Sequence, residues 1–191
     1  MHIFWKCVPV VAIIATISVG PGAADLSAQS HQRMVVEFEG PADLIMPSDA
    51  PDPEGHVAGF PPFSCASGSV FNIESGKAVG SVVECSMPVA GEEPGVTSFV
   101  QFFDLPGGRL VTKGLGAAAL VPGIAGNGAQ VMTTVIPQPG DNMVLEATGR
   151  FGNVQWGQVR LSGFLDVTNA GSLQFDVNCI FIIDLYRGRR P

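Results

Sequence analysis

The sequence predicts an antiparallel all-β domain closed into a single eight-stranded β-barrel, and three observations carry that reading. After Phe63, short runs rich in Val, Phe, Leu and Thr recur between clusters of Gly, Pro, Asn and Asp, the pattern of strands separated by turns. With 24 Gly and 15 Pro in 191 residues, helix-interrupting residues are too frequent for a bundle or coiled coil. The last run alternates strictly. Leu173, Phe175, Val177, Cys179, Phe181, Ile183 and Leu185 point one way, while Ser172, Gln174, Asp176, Asn178, Ile180, Ile182 and Asp184 point the other, a period of two. A series of long twisted strands usually closes, because closure removes exposed edges; an open two-sheet sandwich is the alternative.

Taken in order, Met1 to Lys6 ends in one cation, and the uncharged apolar run from Cys7 to Val19 is broken by Gly20-Pro21-Gly22. This is the layout of a secretory signal, and the run over 7–19 is shorter than the roughly 20 residues a transmembrane helix needs. Gly22 and Ala24 place the cut after Ala24, with Ala28 as the alternative, which makes 1–24 a signal peptide. The mature chain is then secreted or periplasmic and keeps no stable membrane anchor; an uncleaved anchor is the competing reading. Residues 25–62 carry Pro41, Pro47, Pro51, Pro53, Pro61 and Pro62 and one strand-like run, Arg33-Met-Val-Val-Glu-Phe-Glu39. They read as an extended Pro-rich N-terminal segment ahead of a barrel domain at 63–191. Predicted strands are 69–74, 78–87, 96–104, 108–115, 130–136, 143–149, 154–168 and 172–186, with a hairpin turn at Leu105-Pro-Gly-Gly108. In 154–168, Trp156, Gln158, Arg160, Ser162, Phe164 and Asp166 share one side, and Val159, Leu161, Leu165 and Val167 the other.

Export favours cysteine pairing. Cys7 leaves with the signal, so Cys65, Cys85 and Cys179 remain, and an odd number allows at most one internal bridge. Cys65 with Cys85 is the preferred disulfide, because their segments fit on adjacent strands while Cys179 lies within an apolar strand face.

The chemistry is bounded mainly by exclusion. Lys+Arg 10 against Asp+Glu 17 gives a net charge of −7, the wrong sign for holding phosphate backbones, so nucleic acid is not an expected partner. At 46 % hydrophobic and 14 % charged residues, the chain is too apolar for intrinsic disorder. The histidines are His2, His31 and His56, so nothing after residue 56 supplies the imidazole that Ser-His-Asp or Cys-His hydrolysis requires. The predicted core cannot assemble a zinc site from His and paired Cys. The glycine-rich stretches at 114–119 and 123–128 are not followed by Gly-Lys-Ser/Thr. No cofactor and no metal are expected.

Among polar residues on predicted strands, Glu84, Gln101, Asp104, Arg109, Arg160, Asp166, Asp176 and Asn178, the ordinary role is a solvated face or a surface ion pair. Glu84 stands apart, since in Gly80-Ser-Val-Val-Glu-Cys85 it is flanked by apolar residues. If buried, its proton affinity rises into the range of an acid or base near neutral pH. Arg160, between Val159 and Leu161, is the candidate catalytic partner or anion holder. Gln101, Phe103, Trp156 and Asn178 are the candidate substrate-binding residues, and Phe99, Phe102 and Phe164 are further aromatics divided between core and pocket wall.

Two stretches carry a resemblance. Phe99-Val-Gln-Phe-Phe-Asp-Leu-Pro-Gly-Gly-Arg-Leu-Val-Thr-Lys-Gly114 and Leu145-Glu-Ala-Thr-Gly-Arg-Phe-Gly-Asn-Val-Gln-Trp-Gly-Gln-Val-Arg-Leu161 resemble the allene oxide cyclase and dirigent-like barrel superfamily, over residues 70–186. Thr148-Gly149 and Phe151 match its hairpin motif, with Gly157 and Val159 in the following strand. The resemblance implies an eight-stranded antiparallel barrel with a central apolar pocket, often trimeric in plant members, that folds reactive intermediates into a defined stereochemical outcome. The sequence departs from the plant cyclases at a pocket tyrosine, since its only tyrosine is Tyr186, near the C-terminal end. Only Glu37 or Glu39 stands where an N-terminal pocket glutamate would be. The expectation is an exported, cofactor-free cyclase or isomerase acting on an apolar small-molecule ligand, with a homo-oligomer, trimer or dimer, as its expected assembly. A non-catalytic dirigent-like or carrier barrel is the alternative.

Overall fold

The computed structural model describes residues 30–90, 95–121, 129–134, 143–166 and 173–187; the expected signal peptide, 1–24, lies outside them. The described chain is all-β: β1 (Ser30–Ile45), β2 (Cys65–Asn72), β3 (Ala78–Pro88), β4 (Val96–Leu105), β5 (Gly108–Val121), β6 (Ala129–Thr134), β7 (Met143–Ala147), β8 (Trp156–Asp166) and β9 (Gln174–Arg187). Two short 3-10 turns, Pro47–Asp49 and Gly149–Phe151, complete the element list.

Every pairing is antiparallel, and the order runs β1, β2, β3, β4, β5, then β6 and β7 end to end along β5, then β8, β9 and back to β1. Nine strands therefore fill eight positions of one nearly closed barrel. β6 pairs the C-terminal half of β5 and β7 its N-terminal half. Only β6 carries the ladder on to β8. The first and last strands close the ring through a ladder running from Ser30↔Arg187 to Asp43↔Gln174. One end of the barrel bears the β2–β3 and β4–β5 turns and is called here the hairpin end; the other, where β2 begins and β3 finishes, is the disulfide end.

β1 corrects the expected domain boundary. The strand is far longer than Arg33–Glu39, and it is a wall of the barrel rather than a lead-in to it. Its prolines hide it. Pro41 falls where the β1–β2 register shifts, between Phe38 and Asp43, a bulge where a residue without an N–H removes no β1–β2 rung. β2 likewise starts at Cys65, ahead of the expected 69, because the small residues from Ala66 to Ser69 lack apolar alternation.

Alternation sorts the side chains. Val36, Phe38, Val70, Val82, Phe99, Phe103, Leu110, Val159, Leu161, Val177, Phe181, Ile183 and Leu185 pack together in the lumen. Phe103 meets Phe181 edge-on at 5.0 Å between ring centroids. Gly68 faces the Phe38 ring so closely that a Cβ would collide with it, so a side chain there would force out a buried phenyl contributing about 2 kcal/mol. A second cluster lies outside the wall. Val57, with Ala50 and Phe60, covers Val100, Phe102 and Val111 on the outer face of β4 and β5. The connection 46–64 thus makes β4 buried on both sides, which is why its sequence is nearly continuously apolar.

Candidate functional site

On β4, Phe99 and Phe103 point into the lumen, so Gln101 between them does too. The registers place Glu84 of β3 directly opposite Gln101, and Gln101 directly opposite Thr112 of β5. All three are buried, Thr112 completely. They make one polar rung on an apolar wall, bounded by Val82, Phe103 and Leu110 toward the hairpin end and by Ser86, Phe99 and Gly114 toward the disulfide end.

The hydrogen bonds give the rung a direction. The Thr112 hydroxyl donates to Gln101 Oε1 at 2.6 Å. That fixes the amide, whose Nε2 donates to Glu84 Oε2 at 3.2 Å. Oε2 is then an acceptor, so the proton of a neutral Glu84 resides on Oε1, the oxygen with no partner among the described residues. Burial raises the carboxyl to about 7, against the smaller opposing effect of the Gln101 bond. No cation is within ion-pairing distance of Glu84 among the described residues, so desolvation governs. Among the described residues, Cys179 of β9 is the free cysteine, and it is buried. Burial, and then the Glu84 charge, push its thiol far up, which leaves it protonated and a poor nucleophile.

Three expected site residues lie elsewhere. Arg160, Trp156 and Asn178 sit on the outer face, and strand parity is the reason: Val159 and Leu161, and Val177 and Cys179, take the lumen positions. Arg160 is therefore no partner of Glu84. Its guanidinium donates to Asp184 Oδ2 at 2.7 Å. Asp184 also accepts from Arg33 through Nε at 2.7 Å and through the second guanidinium nitrogen at 3.2 Å, and His31 Nε2 lies 2.7 Å away. Burial alone would raise the Asp184 carboxyl, but the bonds from Arg33, His31 and Arg160 together hold it below the usual carboxylate range. Trp156 stacks on Tyr186 at 3.8 Å, and Tyr186 on His31 at 4.7 Å. This outer cluster ties β1, β9 and β8 together; Asn178 stands opposite Phe164 on the same face. Of the expected set, Glu84, Gln101 and Phe103 share the lumen. Cys65 and Cys85 are joined by a disulfide between directly paired residues of β2 and β3.

Thr112 belongs to the site although the sequence does not single it out. At the hairpin end, the two stretches that carry the family resemblance meet. Thr148 donates its N–H to Arg109 O at 2.9 Å, and Arg150 donates its own to Gly107 O at 2.7 Å. The 3-10 turn Gly149–Phe151 thereby presses Phe151, fully buried, into the base of the lumen. Among the described residues, no three His, Cys, Asp or Glu side chains converge to hold a metal ion. The chain matches no protein-family model and no curated protein.

Proposed function

We propose that the barrel takes an apolar small molecule into its lumen and isomerises or cyclises it without a cofactor, with Glu84 moving the proton. The observation that carries this reading is a buried carboxyl raised to about 7, with one oxygen held by an oriented amide, on a strand face whose neighbours Val82, Phe99 and Phe103 are apolar. A group half-protonated at neutral pH both gives and takes a proton readily, and the surrounding phenyl rings confine a flexible substrate to few shapes, which lowers the entropic part of the barrier. Gln101 holds Glu84, Thr112 holds Gln101, and Phe103 stands beside Gln101 on the same lumenal face. The resemblance to allene oxide cyclase and dirigent-like barrels supports the same class of reaction on an exported chain. A carrier or dirigent-like role is the second reading, consistent with the apolar side chains, Phe99 and Phe103, that flank Gln101 on its strand face.

Native mass spectrometry of the secreted protein identifies the apolar compound that travels with it, and turnover of that compound is then followed from pH 5 to 9. The expected profile inflects near 7, and Glu84→Gln lowers kcat by about 100-fold or more with binding kept. Unchanged turnover in Glu84→Gln removes the catalytic role; a bound compound that never reacts leaves the carrier reading.

A further inference from the structure

At the hairpin end β1 outruns its neighbour. It pairs β9 from Ser30, but its pairing with β2 begins only at Val36. Residues 32–35 therefore border a notch instead of a strand, and the notch opens into a cleft of about 590 Å³. Met34, Val36, Val79 and Leu105 give it an apolar floor, while Pro106 and residues 72–74 form its rim.

Two arginines line the cleft, and they differ. The Arg33 guanidinium is committed to Asp184 on the outer face. Arg150 has no acidic partner among the described residues, yet it is held in place. Its guanidinium lies 4.6 Å from the Phe151 ring centroid, a stacked arrangement that orients the planar cation. Its stem lies against Gly107, where even a Cβ would approach Arg150 Cδ to 3.1 Å. A guanidinium stacked on an aromatic ring beside an apolar floor matches a ligand with one anionic head and an apolar tail. Glu74 on the rim repels any anion, a doubly charged head such as a phosphate monoester more strongly than a single carboxylate.

We propose that this cleft binds an amphipathic monocarboxylate, its tail on Met34, Val36, Val79 and Leu105 and its carboxylate on the Arg150 guanidinium. The site is separate from the lumenal rung: Val79 and Glu84 are five residues apart on β3, roughly 17 Å at strand rise. It goes beyond the catalytic reading and does not rest on it.

The test titrates the full exported chain with dodecanoate, below its micellar range, by calorimetry, with dodecanol and dodecyltrimethylammonium as uncharged and cationic counterparts. Saturable one-to-one binding of dodecanoate is expected, with both counterparts about tenfold weaker or worse. Arg150→Gln should weaken dodecanoate about tenfold and Arg150→Lys less, with unfolding curves verifying that each variant is folded. The proposal is overturned if dodecanol binds as well as dodecanoate, if no saturable binding occurs, or if Arg150→Gln binds like the wild type. Should Arg150→Gln fail to fold, the comparison of the three headgroups on the wild type decides.

Discussion

Glu84 is a carboxyl that folding makes harder to ionise, and the sign of its effect on stability follows. Raised from 4.5 to about 7, it keeps its proton in the folded state where the unfolded chain has lost it. Between those two values the folded protein binds more protons, so stability declines as pH rises through the window and levels off above it. The whole shift corresponds to about 3 kcal/mol. Glu84→Gln retains an oxygen that accepts from Gln101 and removes the titration. Urea unfolding at pH 4.5 and at pH 8 should therefore show a difference between variant and wild type that grows from near zero to about 3 kcal/mol in the variant's favour. A difference that does not change with pH would mean that the carboxyl is not desolvated.

At the scale of elements, much was legible and some was not, for reasons that lie in particular residues. The alternation in β9 reads directly as two faces, and from Val177 to Leu185 the odd-numbered face is the lumenal one. The same parity places Arg160 opposite to its neighbours Val159 and Leu161, so a lumenal partner for Glu84 could not come from that position. Gln101 opposite Thr112 follows from the tight turn at 106–107: once Asp104 faces Arg109, stepping back along both strands leads to that pair. Glu84 opposite Gln101 does not follow in this way, because the stretch 89–95 between the two strands is longer in sequence than the two-residue connection that would set the register. β1 was obscured by Pro41, whose tolerance depends on a bulge that local sequence does not announce. The turn after β7 gives a test at this scale. Gly149 has a φ of 58° and presses against the Gly107 carbonyl, so Gly149→Ala should cost about 2 kcal/mol in thermal or urea unfolding. An unaffected melting curve would mean that this turn is not docked on the β4–β5 hairpin.

For the whole molecule, the connection 46–64 acts as a strap over the outer face of β4 and β5. It is fixed by the Cys65–Cys85 bridge, by the His56–Glu146 contact and by the Arg109 guanidinium, which donates to Pro51 O at 3.3 Å. The bridge spans a sequence separation of 20 residues, and a loop of that size contributes about 3 kcal/mol by restricting the unfolded chain. The double replacement Cys65→Ser with Cys85→Ser should lower unfolding stability by about that amount and leave the strand content seen by far-ultraviolet circular dichroism in place. A loss of strand signal would instead make the bridge a requirement for the fold.

The ladder between β1 and β9 has a consequence for biosynthesis. Because β1 zips along β9, the ring stays open until β9 has been made. A polypeptide halted before residue 173 holds β1 to β8 but has nothing to join β8 to β1, and it leaves Val36, Phe38, Val159 and Leu161 bare for chaperones to grip.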